Sequence, residues 1–134
     1  FPNGFGTLGT GVPTAIGAKL GAPDRPAMAI AGDGGLLFTA EELIVAAELA
    51  LPLPVLVWNN GGYRQIRDSM VEAGVQPLGT DLLVPDFSAL AKGYRCGYAA
   101  PESAGDLSRA LSDAFAASGP TLIEVRADAA FLKG

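Results

Sequence analysis

Two short polar boxes carry the chemistry this sequence offers: Gly32-Asp33-Gly34 and Asn59-Asn60-Gly61-Gly62. Each follows an apolar run, Ala27–Ala31 or Pro54–Trp58, and each is flanked by glycines that let backbone approach a ligand closely. If the two runs are neighbouring strands, the Asp33 carboxylate and an Asn60 amide oxygen converge at one edge. Hard oxygen donors of this kind suit magnesium, which prefers six oxygens and usually shares them with substrate phosphates. The surrounding loops contain no lysine, so a phosphate there would meet Asp33. Two anions in contact are unfavourable unless a divalent cation lies between them. The residues thus describe a metal-bridged phosphate site, although either box taken alone reads first as a tight turn after a strand.

Positioning such a pair requires a particular order of elements. Residues 1–11 are glycine-rich without a strand period and read as a loop, and Val12–Leu20 can form a helix with Pro13 in its first turn. After the turn at Ala22–Pro26, Ala27–Ala31 is a short buried strand, and Gly32–Gly35 is expected to be the loop at its end. Thr39 and Glu42 form a capping box that opens a helix through about Leu51, where Pro52 stops it. Pro54–Trp58 is the second strand, and a helix over Tyr63–Glu72 follows its loop. Beyond an irregular stretch, Asp86 caps a helix to about Lys92 or Gly93, and Arg95–Ala99 is a third strand. Ser103 leads a helix to about Ser118, and Thr121–Arg126 is the last strand. The alternation predicts a doubly wound α/β fold, a mainly parallel sheet with helices on both faces. In such sheets ligands sit beyond the carboxyl ends of strands, where both boxes fall.

Composition excludes several classes. The 134 residues suit one domain, and 49% hydrophobic against 17% charged residues describe a well-buried chain rather than a disordered one. A net charge of −5 argues against nucleic acid or an anionic membrane as partner. Pro52 and Pro54 interrupt the longest apolar stretch, well short of a membrane span. There is no histidine, which removes a Ser-His-Asp triad, a His-based zinc site and a His general base from this segment. Cys96 stands alone, which excludes a disulfide framework and fits a reducing cytoplasm; its place in an expected strand reads as a structural thiol rather than a nucleophile. The first residues, Phe1-Pro2-Asn3-Gly4, look like the interior of a longer chain.

Gly32-Asp33-Gly34, the twenty-four positions 35–58, then Asn59-Asn60 resembles the GDG…NN signature of thiamine-diphosphate enzymes. The segment Gly4–Ala18 is similar to the one preceding GDG in acetolactate synthases and related 2-oxo-acid decarboxylases, and Leu36–Leu43 to the helix after it. The likeness covers nearly the whole chain and implies a thiamine-diphosphate-binding fold. It implies that Asp33, the Asn60 side chain and the Gly62 carbonyl bind Mg2+, with thiamine diphosphate as the other cofactor. Amides of Gly34, Gly35 and the Gly62-Tyr63 turn would hold the diphosphate. Leu8 would be the apolar wedge that bends the cofactor, and the Gly6 carbonyl and Leu8 amide would take its aminopyrimidine.

By the same resemblance, residues 1–134 form a single C-terminal domain of a longer enzyme, a homodimer or homotetramer acting on a 2-oxo acid. Acetolactate-synthase-like carboligation is the first expectation. Simple decarboxylation, of a guanidino-substituted 2-oxo acid for example, is the alternative. The glutamate that activates the cofactor belongs to a pyrimidine-binding domain, usually of the partner subunit. Glu41 and Glu42 look like helix-capping or solvent-facing carboxylates and do not replace it. No residue of this segment is therefore assigned a catalytic role, and alone it is expected to be an inactive cofactor-binding or dimerisation module.

Three smaller readings accompany these. Gly4–Gly9 also fits the dinucleotide pattern GxGxxG, which needs a strand just before it. Arg64 stands where relatives often place glycine, and either reaches the diphosphate or points to solvent. Ile66 and Met70 either line a substrate pocket or pack in the core.

Overall fold

The computed structural model describes residues 6–133. In chain order the elements are α1 (Gly11–Gly21), β1 (Ala29–Gly32), α2 (Asp33–Leu36), α3 (Glu42–Glu48), β2 (Pro54–Asn59) and α4 (Arg64–Glu72). There follow α5 (Phe87–Gly93), β3 (Gly97–Ala99), α6 (Ala104–Ala116), β4 (Thr121–Arg126) and a 3-10 turn at Ala130–Leu132. The four strands form one wholly parallel sheet in the order β1-β2-β4-β3. β1 and β2 are neighbours, with Gly32 beside Trp58, so the two polar boxes emerge side by side.

Residues aligned across a parallel ladder share a face, because side chains alternate along every strand. Ala29, Val55, Val57 and Leu122 therefore point together into a core completed by Val12 and Ile16 of α1, Leu43 and Ala46 of α3, and Phe87 and Ala91 of α5. The opposite face buries Ile123 and Val125 of β4 and Ala114 of α6, which packs on β2 and β4. Each fully buried Leu, Val or Ile contributes roughly 1.5–3 kcal/mol relative to exposure. Because β2 and β4 are covered on both sides, they read as near-continuous apolar runs. Helices on both faces of a parallel sheet are the expected doubly wound arrangement. β1 is covered less well: Ile30, on the α6 side of the sheet, is 66% exposed.

Local structure departs from expectation in several places, β1 among them, which runs Ala29–Gly32 rather than Ala27–Ala31. Residues 33–36 form the one-turn helix α2 instead of a loop, so Asp33 begins a helix directly after β1. Thr39 does not cap α3: its hydroxyl donates to the Gly9 carbonyl at 2.7 Å, α3 starts only at Glu42, and no side chain caps it. The helix ends at Glu48 rather than Leu51 because Ala50 turns left-handed at φ 50°. The third strand starts at Gly97, not Arg95, since Arg95 also lies at φ 59°, and α6 stops at Ala116. The Asp86 and Ser103 caps form as read: Asp86 accepts from the Ser88 and Ala89 amides, and Ser103 from the Asp106 amide. The GxGxxG window starts at Gly4 and Phe5, outside the described residues. From Gly6 to α1 the backbone forms no strand. Among the described residues no helix is long and apolar enough to cross a membrane.

Candidate functional site

β1 delivers an extended Gly32 and then turns into α2, which places Asp33 at the helix start with 1% exposure. Its carboxylate is held by three backbone donors. Oδ2 accepts from the amides of Gly61 at 2.8 Å and Gly62 at 2.9 Å, and Oδ1 from Gly34 at 2.7 Å. Charge-assisted bonds of this kind offset the cost of burying a carboxylate. They also tie the second box to the first across 28 and 29 residues of chain. A carboxylate offers about four lone-pair sites. Three amides leave one on Oδ1 for a cation.

Asn60 sits immediately before the two tethered glycines. Its Oδ1 is buried and has no hydrogen-bond partner among the described residues. A buried acceptor left unpaired costs roughly 1–3 kcal/mol, so this oxygen is an unmet demand at the site. Gly62 has φ +126°, and a Cβ there would lie 2.6 Å from the Thr80 carbonyl oxygen. Only glycine fits that bend. The Gly62 carbonyl accepts from the Arg64 amide at 3.0 Å and keeps a second lone pair.

Packing then locks the boxes together. A Cβ on Gly34 would come within 2.5 Å of the Tyr63 ring, so that ring lies directly on the Gly34 backbone. Leu8 stands over Gly35, its Cδ2 3.7 Å from where a Cβ would be, and is 42% exposed. The Thr39 hydroxyl holds the adjacent Gly9 carbonyl and so fixes the loop that carries Leu8. Gly6 begins that loop, exposed, at φ 67°. Of the amides expected at a diphosphate, those of Gly34 and Gly62 donate to Asp33 and that of Tyr63 to the Thr80 carbonyl at 2.9 Å.

Among the described residues no group of three or more His, Cys, Asp or Glu gathers around a common point. A cation here would take one carboxylate and neutral oxygens from the protein and the rest from ligand and water. An all-oxygen set of this kind suits a hard divalent cation such as magnesium rather than zinc, which takes nitrogen and sulfur ligands. The uncommitted Asp33 lone pair and the orphaned Asn60 oxygen fit it.

Other candidates are placed elsewhere. Arg64 is exposed, and its Nε donates to the Asn60 backbone carbonyl at 3.0 Å, clipping the loop from outside. Ile66 is 47% exposed and α4 buries no residue, so neither Ile66 nor Met70 is core. Cys96 lies just before β3, and burial pushes its thiol up to about 11, which keeps it protonated and inert at neutral pH. Thr80 and Glu124 carry no mark in the sequence, because nothing local distinguishes them. Glu124 looks like an ordinary outward residue of an apolar strand, yet it accepts from Asn59 Nδ2 at 2.6 Å.

Residues 1–125 match the family described as thiamine pyrophosphate enzyme, C-terminal TPP binding domain. The chain belongs to this family. A probable 2-ketoarginine decarboxylase of Pseudomonas aeruginosa is 49% identical to this TPP-binding domain over 126 residues, covering 93% of the chain and 22% of that protein. Acetolactate synthase of Bacillus subtilis is 32% identical over 126 residues, covering 94% of the chain and 22% of that protein. The solved structure of a thiamine diphosphate-dependent 4-hydroxybenzoylformate decarboxylase of Rhodococcus jostii RHA1 matches with a TM-score of 0.81 at 38% identity. That match covers 89% of this chain and 23% of the other. The TPP-binding domain thus spans about a fifth of the length of the relatives it matches.

Proposed function

We propose that this domain holds the diphosphate of thiamine diphosphate through one Mg2+, within a longer enzyme that decarboxylates a 2-oxo acid. The observation that carries the reading is the buried, unpartnered Asn60 Oδ1, in the loop whose next two amides, with that of Gly34, fix the Asp33 carboxylate. Asp33, Asn60 and the Gly62 carbonyl are the protein ligands of the metal. The α2 turn at Gly34-Gly35 and the Gly62-Tyr63 turn face the diphosphate. Leu8, held over Gly35, is the apolar support that shapes the cofactor, while the Gly6 carbonyl and Leu8 amide take its aminopyrimidine. When bound, thiamine diphosphate supplies the electron sink that decarboxylation requires. The residues of this chain bind and orient it.

In this reading residues 1–134 act as one C-terminal domain. A pyrimidine-binding domain, from a partner subunit of a homodimer or homotetramer, supplies the activating glutamate. Identity of 49% to the probable 2-ketoarginine decarboxylase, against 32% to the acetolactate synthase, supports decarboxylation of a guanidino-substituted 2-oxo acid. Carboligation of the acetolactate kind is the second reading, supported by the latter match.

Titration calorimetry of the complete gene product with thiamine diphosphate, with and without Mg2+, tests the metal bridge. Binding is expected only with Mg2+. Asn60→Ala should weaken it on the order of a hundredfold, about 2.7 kcal/mol, while the metal-free protein melts no lower than wild type because an orphaned acceptor has been removed. Mg2+-independent binding, or unchanged affinity in Asn60→Ala, would overturn the bridge.

A further inference from the structure

We infer that Glu124 of β4 is a positioning residue for the cofactor site: it orients the Asn59 amide and, through it, the loop that presents Asn60 and Gly62. The inference rests on the metal–diphosphate reading above. Glu124 is half-buried and aligned with Val57, two residues before Asn59 on the neighbouring strand. Both of its oxygens receive donors from flanking strands: Oε1 from Asn59 Nδ2 of β2 at 2.6 Å, and Oε2 from the Tyr98 hydroxyl of β3 at 2.6 Å.

The two ends of an asparagine amide are nearly the same size, so sterics alone do not decide which way it points. Hydrogen bonding does, because an ionised carboxylate only accepts. Glu124 therefore requires the Asn59 nitrogen on its side and sends Asn59 Oδ1 the other way. There Oδ1 accepts from the Gly61 amide at 3.2 Å. That same amide also donates to Asp33 Oδ2 at 2.8 Å. Turning the Asn59 amide over would set two acceptors against each other and an NH2 group against a backbone N–H. One attractive pair at each end would become a repulsive one. Tyr98 holds the carboxylate from behind; burial first and the Glu124 bond second raise its phenol well above the usual range, so it stays a donor. A second tie, from the Ala127 amide to the Asn59 carbonyl at 2.8 Å, joins the end of β4 to the start of the same loop. Glu124 thus acts through Asn59 and Gly61 rather than by touching the metal.

The test measures thiamine diphosphate affinity at saturating Mg2+ in the complete gene product, alongside metal-free melting curves. Glu124→Leu should raise the Kd tenfold or more, in the roughly 10–100-fold range of residues that orient a metal ligand. Glu124→Gln keeps an acceptor for Asn59 and should recover affinity to within about fivefold of wild type. Asn59→Leu should match Glu124→Leu, and the double variant should be no weaker than either, since both remove one coupling. If Glu124→Leu does not fold, Asn59→Leu carries the same test from the other end of the bond. Wild-type affinity in Glu124→Leu or Asn59→Leu, or failure of Glu124→Gln to recover it, would overturn the positioning role alone. Absence of Mg2+-dependent binding in the wild type would overturn the cofactor reading and this inference together.

Discussion

At the scale of the residue, Asp33 organises the site before any ligand arrives. Its carboxylate gathers the amides of Gly34, Gly61 and Gly62, and the loop beyond can close only because Gly62 has no side chain. Gly61 and Gly62 both have positive φ, but their surroundings differ: a Cβ on Gly61 meets nothing within 4 Å, while one on Gly62 meets the Thr80 carbonyl at 2.6 Å. Gly61→Ala should therefore cost about 1–2 kcal/mol of left-handed strain. Gly62→Ala should cost at least about 2–3 kcal/mol, because the loop must also move. Urea unfolding of both variants checks this, and equal midpoints would show that the Thr80 contact is unimportant. Asp33 and Asn60 were legible in the sequence because the spacing between them reflects a local β–α–β crossover. Glu124 was not, because its role depends on β4 rather than β3 lying beside β2, a non-local fact that neither strand's composition encodes.

At the scale of the element, side-chain caps mark the starts of α5 and α6 alone among the six described helices, and the three capping candidates fared differently. Asp86 and Ser103 each precede a helix, their side chains bond only to residues of its first turn, and each caps as read. Thr39 has the right spacing too, but a carbonyl thirty residues away takes its hydroxyl. Local patterning cannot anticipate that competition. Bonds from the Ala89 amide and from Ser88 hold the Asp86 carboxyl below its ordinary 3.8. A folded value below the unfolded one means the cap stabilises at pH above about 4 and is lost as pH falls through the folded value. Asp86→Ala should lower the melting temperature at pH 7, and the gap to wild type should narrow as the pH falls below about 4 and through the folded value. A gap that persists undiminished in acid would show that the carboxylate charge is not what caps α5.

At the scale of the whole molecule, the parallel sheet with helices on both faces was legible from the alternation of apolar runs and capped segments. The strand order was not. Among the described residues β1 is one edge of the sheet, with no strand paired on its other side, and a groove of about 700 Å³ runs between it and α1, lined by Thr14, Ala15, Met28 and Ile30 among others. An open edge beside exposed apolar side chains is a template for association with another chain. Expressed alone, the 134-residue segment should self-associate, and Ile30→Lys should shift it toward monomer in size-exclusion chromatography with light scattering. An unchanged mass distribution would place the association elsewhere.

β4 is the last of the four described strands in sequence but occupies an interior position between β2 and β3. During synthesis β1 and β2 can pair as soon as they emerge, whereas β3 has no hydrogen-bonded neighbour until residues 121–126 are made. Late, long-range pairing of this kind raises contact order and slows folding. It also gives the chain an order of events. The strand that joins β3 to β2 is the one that carries Glu124, so the Asn59 loop reaches its final orientation only when β4 is in place.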